Sequence, residues 1–157
     1  MGIIIASFPG IGRTYFTNLY NDKAKIVDFT KDEDFETLVD RLLGVVDNND
    51  VLFVGANSNF RNALNERNVD YDIFYPTKER RGEFIENYVR KRANPNRIRE
   101  VDKIFNSLVD EIENEESANC FKHKLEAQGD FLSNNSILMS YISQIGTKEK
   151  EKENEQN

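Results

Sequence analysis

The chain has 157 residues, with 21 Lys or Arg against 28 Asp or Glu and a formal charge of −7. A chain near 150 residues buries roughly 68–70% of its unfolded surface, so one domain with a sizeable core is expected without covalent staples. No apolar stretch nears the ~18 residues of a membrane span. The first residues lack a secretory signal's order of basic then apolar segments, and the single cysteine, Cys120, excludes an internal disulfide; a cytoplasmic protein with no membrane partner is the expectation.

Taken in chain order, the patterns alternate between strand and helix. Ile3-Ile4-Ile5-Ala6 is a continuous apolar run closed by Pro and Gly, as in a strand buried on both faces. A helix is expected from Thr14 to Tyr20 and a second strand over Lys25–Phe29. Asp32 or Asp34 can cap a helix carrying Phe35, Leu38, Val39, Leu42, Leu43 and Val46 at helical spacing. Val51–Val54 reads as a third strand, followed by a short helix capped by Ser58 or Asn59. Asp70–Tyr75 alternates as a fourth strand before Pro76. Phe84, Ile85, Tyr88 and Val89 mark a charged helix, Asn94-Pro95-Asn96 breaks it, and Arg97–Glu115 is amphipathic. Ala118–Leu125 is expected as a last strand and Ile137–Ile145 as a closing helix. Residues 147–157, rich in Lys and Glu, are expected to be a charged flexible tail.

Apolar strands alternating with helices imply βαβ units and a mainly parallel sheet, whose ligands bind beyond the carboxyl ends of the strands. The segment leaving the first strand, Ser7-Phe8-Pro9-Gly10-Ile11-Gly12-Arg13-Thr14, approximates the phosphate-binding pattern G-x-x-x-x-G-K-[ST], with Ser7 for the first Gly and Arg13 for Lys. Glycines let backbone N–H groups turn toward phosphate oxygens, and the following helix adds the positive end of its dipole. Pro9, Gly10, Ile11, Gly12, Arg13 and Thr14 are therefore the candidate phosphate-binding residues. Arg13 would place charge on the β- and γ-phosphates, and the Thr14 hydroxyl would enter the shell of Mg²⁺. Asp28, at the end of the second strand, is a candidate for holding the metal or orienting an acceptor.

The run Ile3–Thr14 resembles the opening of adenylate-kinase-like proteins, nucleoside monophosphate kinase relatives common in bacteriophages and prophages, whose loop usually reads S-F-P-G-x-G-K-[ST]. The similarity continues through Val51–Val54, Arg61–Leu64, Val69–Pro76 and Glu83–Tyr88, ends near Arg92-Ala93-Asn94, and covers most of residues 3–116. It implies a P-loop, three-layer α/β fold with a mainly parallel five-stranded sheet, formed by one domain over residues 1–146 with a lid segment at 77–100. It also implies a phage setting, ATP with Mg²⁺ at the first loop, and phosphoryl transfer to a nucleoside monophosphate or similar acceptor. By the same resemblance Arg61 would hold the acceptor's phosphate, and Arg80, Arg81 and Arg92 would act catalytically over the transferring group with Arg13.

Residues 78–103 carry nine Lys or Arg and five acids, so that stretch is +4 while the remainder is −11. This local excess keeps a polynucleotide 5′ end as a further acceptor, although the acidic whole lacks the broad cationic surface of a nucleic-acid binder. Arg13 in place of Lys, Ser7 in place of Gly and Ala56-Asn57 after the third strand also admit a binding or interaction module that keeps the fold without catalysis. Cys120 and His123 have metal-like spacing but no second pair, so no zinc site is expected.

Overall fold

The computed structural model describes residues 2–156, with side chains described for residues 2–146. Five strands, β1 (Ile3–Ser7), β2 (Ile26–Asp28), β3 (Val51–Gly55), β4 (Tyr71–Pro76) and β5 (Cys120–Leu125), form one sheet in the order β2-β3-β1-β4-β5. Every pairing is parallel, with Ile3 opposite Val51, Ile5 opposite Asp72 and Tyr71 opposite Cys120. The expected parallel α/β sheet is the one observed.

β1 and β3 are central because their sequences tolerate nothing else. Ile5, Ala6 and all of Val51–Val54 are completely buried, so helices must cover both faces. The helices are α1 (Arg13–Tyr20), α2 (Phe35–Val45), α3 (Ser58–Glu66), α4 (Arg81–Arg90), α5 (Pro95–Glu113) and α6 (Ser136–Gln156). The chain moves one way across the sheet from β1 to β2 and the opposite way thereafter. Right-handed crossovers therefore put α1 on one face and α2, α3 and α5 on the other. The contacts agree: α2 packs on α3, and Arg61 of α3 reaches Glu111 and Glu115 of α5. On the other face the Tyr20 hydroxyl of α1 donates to the Ser133 carbonyl at 3.3 Å. Tyr141 of α6 donates to the Asp50 carbonyl at 2.9 Å.

Caps set several boundaries. Asp34 caps α2 by accepting from Thr37 N. Asn57, rather than Ser58 or Asn59, caps α3 through its side-chain oxygen. The Asn94-Pro95 pair is a start rather than the expected break, since α4 already ends at Arg90: Asn94 accepts from Asn96 N at 2.8 Å, and Pro95 occupies the first helical position, where its missing N–H costs nothing. α5 thus begins two residues before the expected Arg97. The closing helix is longer than the expected Ile137–Ile145, and its backbone runs through the segment assigned to a tail, whose side chains lie outside those described.

The two connections leaving β1 and β3 lie on opposite faces, which opens a crevice beyond their carboxyl ends. In open parallel sheets such a switch point is where ligands bind. No described helix is long and apolar enough to cross a membrane.

Candidate functional site

The segment between β1 and α1 is held by its apolar residues and leaves its backbone outward. Phe8 is buried edge-on between Phe84 and Phe105, with ring centroids 6.2 and 5.0 Å away. Ile11 is buried too; its N–H donates to the Phe8 carbonyl at 3.1 Å, and its own carbonyl accepts from Leu132 N at 3.1 Å. Burying each such side chain contributes about 1.5–3 kcal/mol, so the loop's shape is fixed by the core beneath it. Gly10 and Gly12 adopt φ of 85° and 96°, the left-handed region that disfavours any residue with a Cβ. At Gly10 a Cβ would also stand 3.1 Å from Phe84 and Tyr88. No backbone partner closes on the amides of Gly10, Gly12, Arg13, Thr14 or Tyr15 among the described residues.

Around this loop lies a cavity of about 890 Å³. Its floor is the loop itself, its far wall is Gly55-Ala56-Asn57 after β3, and Thr30-Lys31 closes the β2 side. The α4–α5 hairpin contributes Tyr88, Lys91, Arg97 and Ile104. Gly55 allows the close approach of Phe60, whose ring would lie 2.6 Å from a Cβ there. Among the described residues, the charged side chains lining the cavity are Arg13, Lys31, Lys91 and Arg97, and no Asp, Glu or His lines it. In a chain of charge −7, this concave site has the opposite sign, and its walls focus an attractive field on anions.

Arg13 is engaged. Its Nε lies 3.0 Å from Asp28 Oδ2, and its Nη1 donates to the Thr30 hydroxyl. Asp28 Oδ1 in turn accepts from Thr30 N at 2.8 Å and from the Thr30 hydroxyl at 2.6 Å. The loop cation and the β2 carboxylate thus form a closed cluster, with both side chains still partly exposed. Lys31 and Lys91 have no ion pair among the described residues, and Arg97 meets Glu100 only at 3.7 Å. Tyr88 lies between Gly10 and the cations: burial pushes its hydroxyl above the usual tyrosine range, while Arg97 and Arg13 pull it back.

The other expected site residues separate into two groups. Pro9, Gly10, Ile11, Gly12, Arg13 and Thr14 all line the cavity. Arg61, Arg80, Arg81 and Arg92 do not. Arg61 is buried behind the β3 loop, donating from Nε to the Ala56 carbonyl at 3.0 Å and pairing with Glu111 and Glu115. Arg80 is 4% exposed. It is bidentate on Glu83 at 2.8 and 3.0 Å, donates to the carbonyls of Leu125 and Asp130, and lies over the rings of Phe84 and Phe131. Arg81 pairs with Asp102 at 2.7 Å on the surface. Arg92 is exposed in the turn after α4, at φ 53°. Phe84, Tyr88 and Lys91 are spaced along one stripe, as are Arg97, Val101 and Ile104, while Arg81 shares the first stripe at the opposite end of α4. Phase and position together carry Lys91 and Arg97 to the cavity. The resemblance singled out their neighbours in the same basic stretch instead.

Cys120 and His123 project from opposite faces of β5, since three positions along a strand invert the side. His123 instead lies 2.7 Å from Asp72 and stacks on Phe74. Among the described residues, no group of three His, Cys, Asp or Glu side chains is arranged to hold a metal. A divalent cation here would therefore need oxygens brought by its ligand. Thr14 suits that arrangement, being exposed with no hydrogen bond from its hydroxyl among the described residues. Asp28 already has both carboxylate oxygens engaged, so it would reach a cation through water. No model of a known protein family matches the chain, and no curated protein matches it.

Proposed function

We propose that the chain binds a nucleoside triphosphate, ATP with Mg²⁺, at the Ser7–Thr14 loop and transfers a phosphoryl group to a small acceptor that is already phosphorylated, such as a nucleoside monophosphate. The observation that carries this is the cavity's lining: left-handed glycines and unpaired loop amides beside four cations and no carboxylate. Phosphoryl transfer asks the protein mainly for positioning and for charge opposite the phosphate oxygens. The free amides and the helix dipole supply the first contacts, and Lys31, Lys91 and Arg97 are the cations able to meet further phosphates. Thr14 would hold Mg²⁺, which would supply charge neutralisation for the donor phosphates.

The same lining favours a phosphate acceptor over a polynucleotide 5′-hydroxyl. A hydroxyl must lose its proton to a nearby base as it attacks, and no carboxylate or histidine lines the cavity among the described residues. A phosphate monoester oxygen is already anionic at neutral pH, and the surplus cations suit it.

One observation favours a second reading, a nucleotide-binding module without catalysis. Arg13 and Asp28 hold each other, so the loop cation and the carboxylate assigned to the metal are both withdrawn from donor phosphates in this arrangement.

Thermal unfolding with ATP·Mg²⁺, ADP and nucleoside monophosphates tests the binding. At ~100 times its dissociation constant a ligand stabilises the fold by about 2.7 kcal/mol, which raises Tm by roughly 5 °C or more for a domain of this size. A shift with ATP that Gly12→Ala abolishes supports the site; no shift at millimolar nucleotide overturns it. A coupled assay for ADP release, run with each nucleoside monophosphate, then separates transfer from binding alone.

A further inference from the structure

The cationic cavity accounts for phosphates and leaves open what recognises the rest of a nucleotide. Four aromatic side chains line it, and three are committed. Phe8 and Phe60 are 1% and 2% exposed, and Tyr88 is wedged against Gly10. The fourth, Tyr15, is 61% exposed. It sits in the first turn of α1, one residue beyond Thr14, so a ligand whose phosphates meet the loop amides passes directly over it. Exposing a large aromatic at the rim of a polar site forfeits the burial that such a side chain ordinarily obtains.

Asn18 also lines the cavity and is exposed. It stands three positions after Tyr15 in α1, and residues at that spacing share a helix face with Cβ atoms about 5–6 Å apart. Its amide makes no hydrogen bond among the described residues, so both its donor and its acceptor are free. An aromatic face beside a free carboxamide matches the two contacts a nucleobase makes: stacking on its π-face and paired hydrogen bonds along one edge. A carboxamide pairs bidentately with adenine along either its N6/N7 or its N6/N1 edge, whereas guanine offers a donor beside an acceptor along its O6/N1 edge and two acceptors along its N7/O6 edge.

We infer that Tyr15 and Asn18 form a nucleobase platform on α1, with Tyr15 supplying the stacking surface and Asn18 a preference for adenine. The inference rests on the proposed nucleotide site, and inorganic tripolyphosphate separates the two because it has the phosphates and no base.

The test is calorimetric titration of the full chain and its variants with ATP, GTP and tripolyphosphate. Wild type is expected to bind ATP more tightly than tripolyphosphate. Tyr15→Ala is expected to weaken ATP about 5- to 100-fold, the usual range for one stacked base, and to leave tripolyphosphate within twofold. Tyr15→Phe should retain ATP affinity, since the ring and not the hydroxyl is used. Asn18→Ala should narrow the ATP-to-GTP ratio. Both side chains are exposed, so the variants fold. If Tyr15→Ala leaves ATP binding unchanged, or weakens ATP and tripolyphosphate equally, the platform is overturned while the phosphate site stands. The same holds if wild type binds ATP no better than tripolyphosphate. Binding of neither ligand overturns the nucleotide site and the platform together.

Discussion

Arg80 and Lys91 lie eleven positions apart in one basic stretch, yet they do opposite work. Arg80 is enclosed: a carboxylate grips two of its nitrogens, two carbonyls take a third, and aromatic rings cover its faces. Lys91 lines the cavity with no ion pair among the described residues. Arg61 belongs with Arg80, pinned between the Ala56 carbonyl and two glutamates, and Lys31 belongs with Lys91. A cation already satisfied by its own chain holds structure, and a cation left unsatisfied at a concave surface is available to a ligand. Sign and sequence proximity do not separate the two cases; the partners do.

The contrast is sharpest in stability. Removing one partner of a buried ion pair costs about 3–5 kcal/mol because the other charge stays behind unpaired. Arg80→Ala is therefore expected to lower Tm by roughly 10 °C, stranding Glu83 and the carbonyls of Leu125 and Asp130. Lys91→Ala should stay within about 0.5 kcal/mol of wild type in denaturant unfolding while reducing the ATP-dependent shift. Equal losses of stability in the two variants would erase the distinction.

A smaller effect follows from Glu83. Its pairing with Arg80 and the hydrogen bond from Gly129 N hold its carboxyl below the usual glutamate range. The stabilisation is thus fully present above about pH 4–5, where an unfolded-chain glutamate is ionised, and disappears as pH falls through the lower folded-state value. Glu83→Gln should flatten that part of the acid unfolding profile, measured by circular dichroism from pH 6 to pH 2.

The smallest effect concerns the pair that belongs to both groups. Arg13 lines the cavity and is nevertheless held by Asp28 and Thr30. Partly exposed ion pairs contribute about 0.2–1 kcal/mol, so Asp28→Asn should free Arg13 and tighten metal-free tripolyphosphate binding by roughly 2- to 5-fold. Unchanged or weaker binding, measured by titration, would mean that the cluster does not restrain the loop.

Most of the fold was legible because strands buried on both faces must be written as uninterrupted apolar runs. Ile3–Ala6 and Val51–Val54 could be nothing that water touches. Glycine marked the loop equally well, since Gly10 and Gly12 occupy backbone angles that other residues avoid. Boundaries set by a capping side chain were harder: α4 ends at Arg90, before the Asn94-Pro95 pair expected to break it, and that pair begins α5 instead. α6 runs past its expected end because Lys and Glu carry no apolar stripe to be read, although both are good helix formers. The site's cations were legible as a class and not as individuals. Position along the helices and pairing carry the missing information: Arg81 shares the stripe of Phe84, Tyr88 and Lys91 but lies at the opposite end of α4, paired with Asp102, and Arg92 lies in the turn beyond the helix.

The loop after β1 is synthesised long before the segments that complete it. Ile11 receives its hydrogen bond from Leu132 N, and α1 is tied by Tyr20 to Ser133, 113 positions further along. Phe8 also waits for Phe84 and Phe105. Contacts so distant in sequence form late, because the intervening chain must be ordered before they can close. A nascent chain stalled between residues 20 and 132 would carry every glycine of the loop and lack the brace that shapes it, so ligand competence waits for the Leu132 segment.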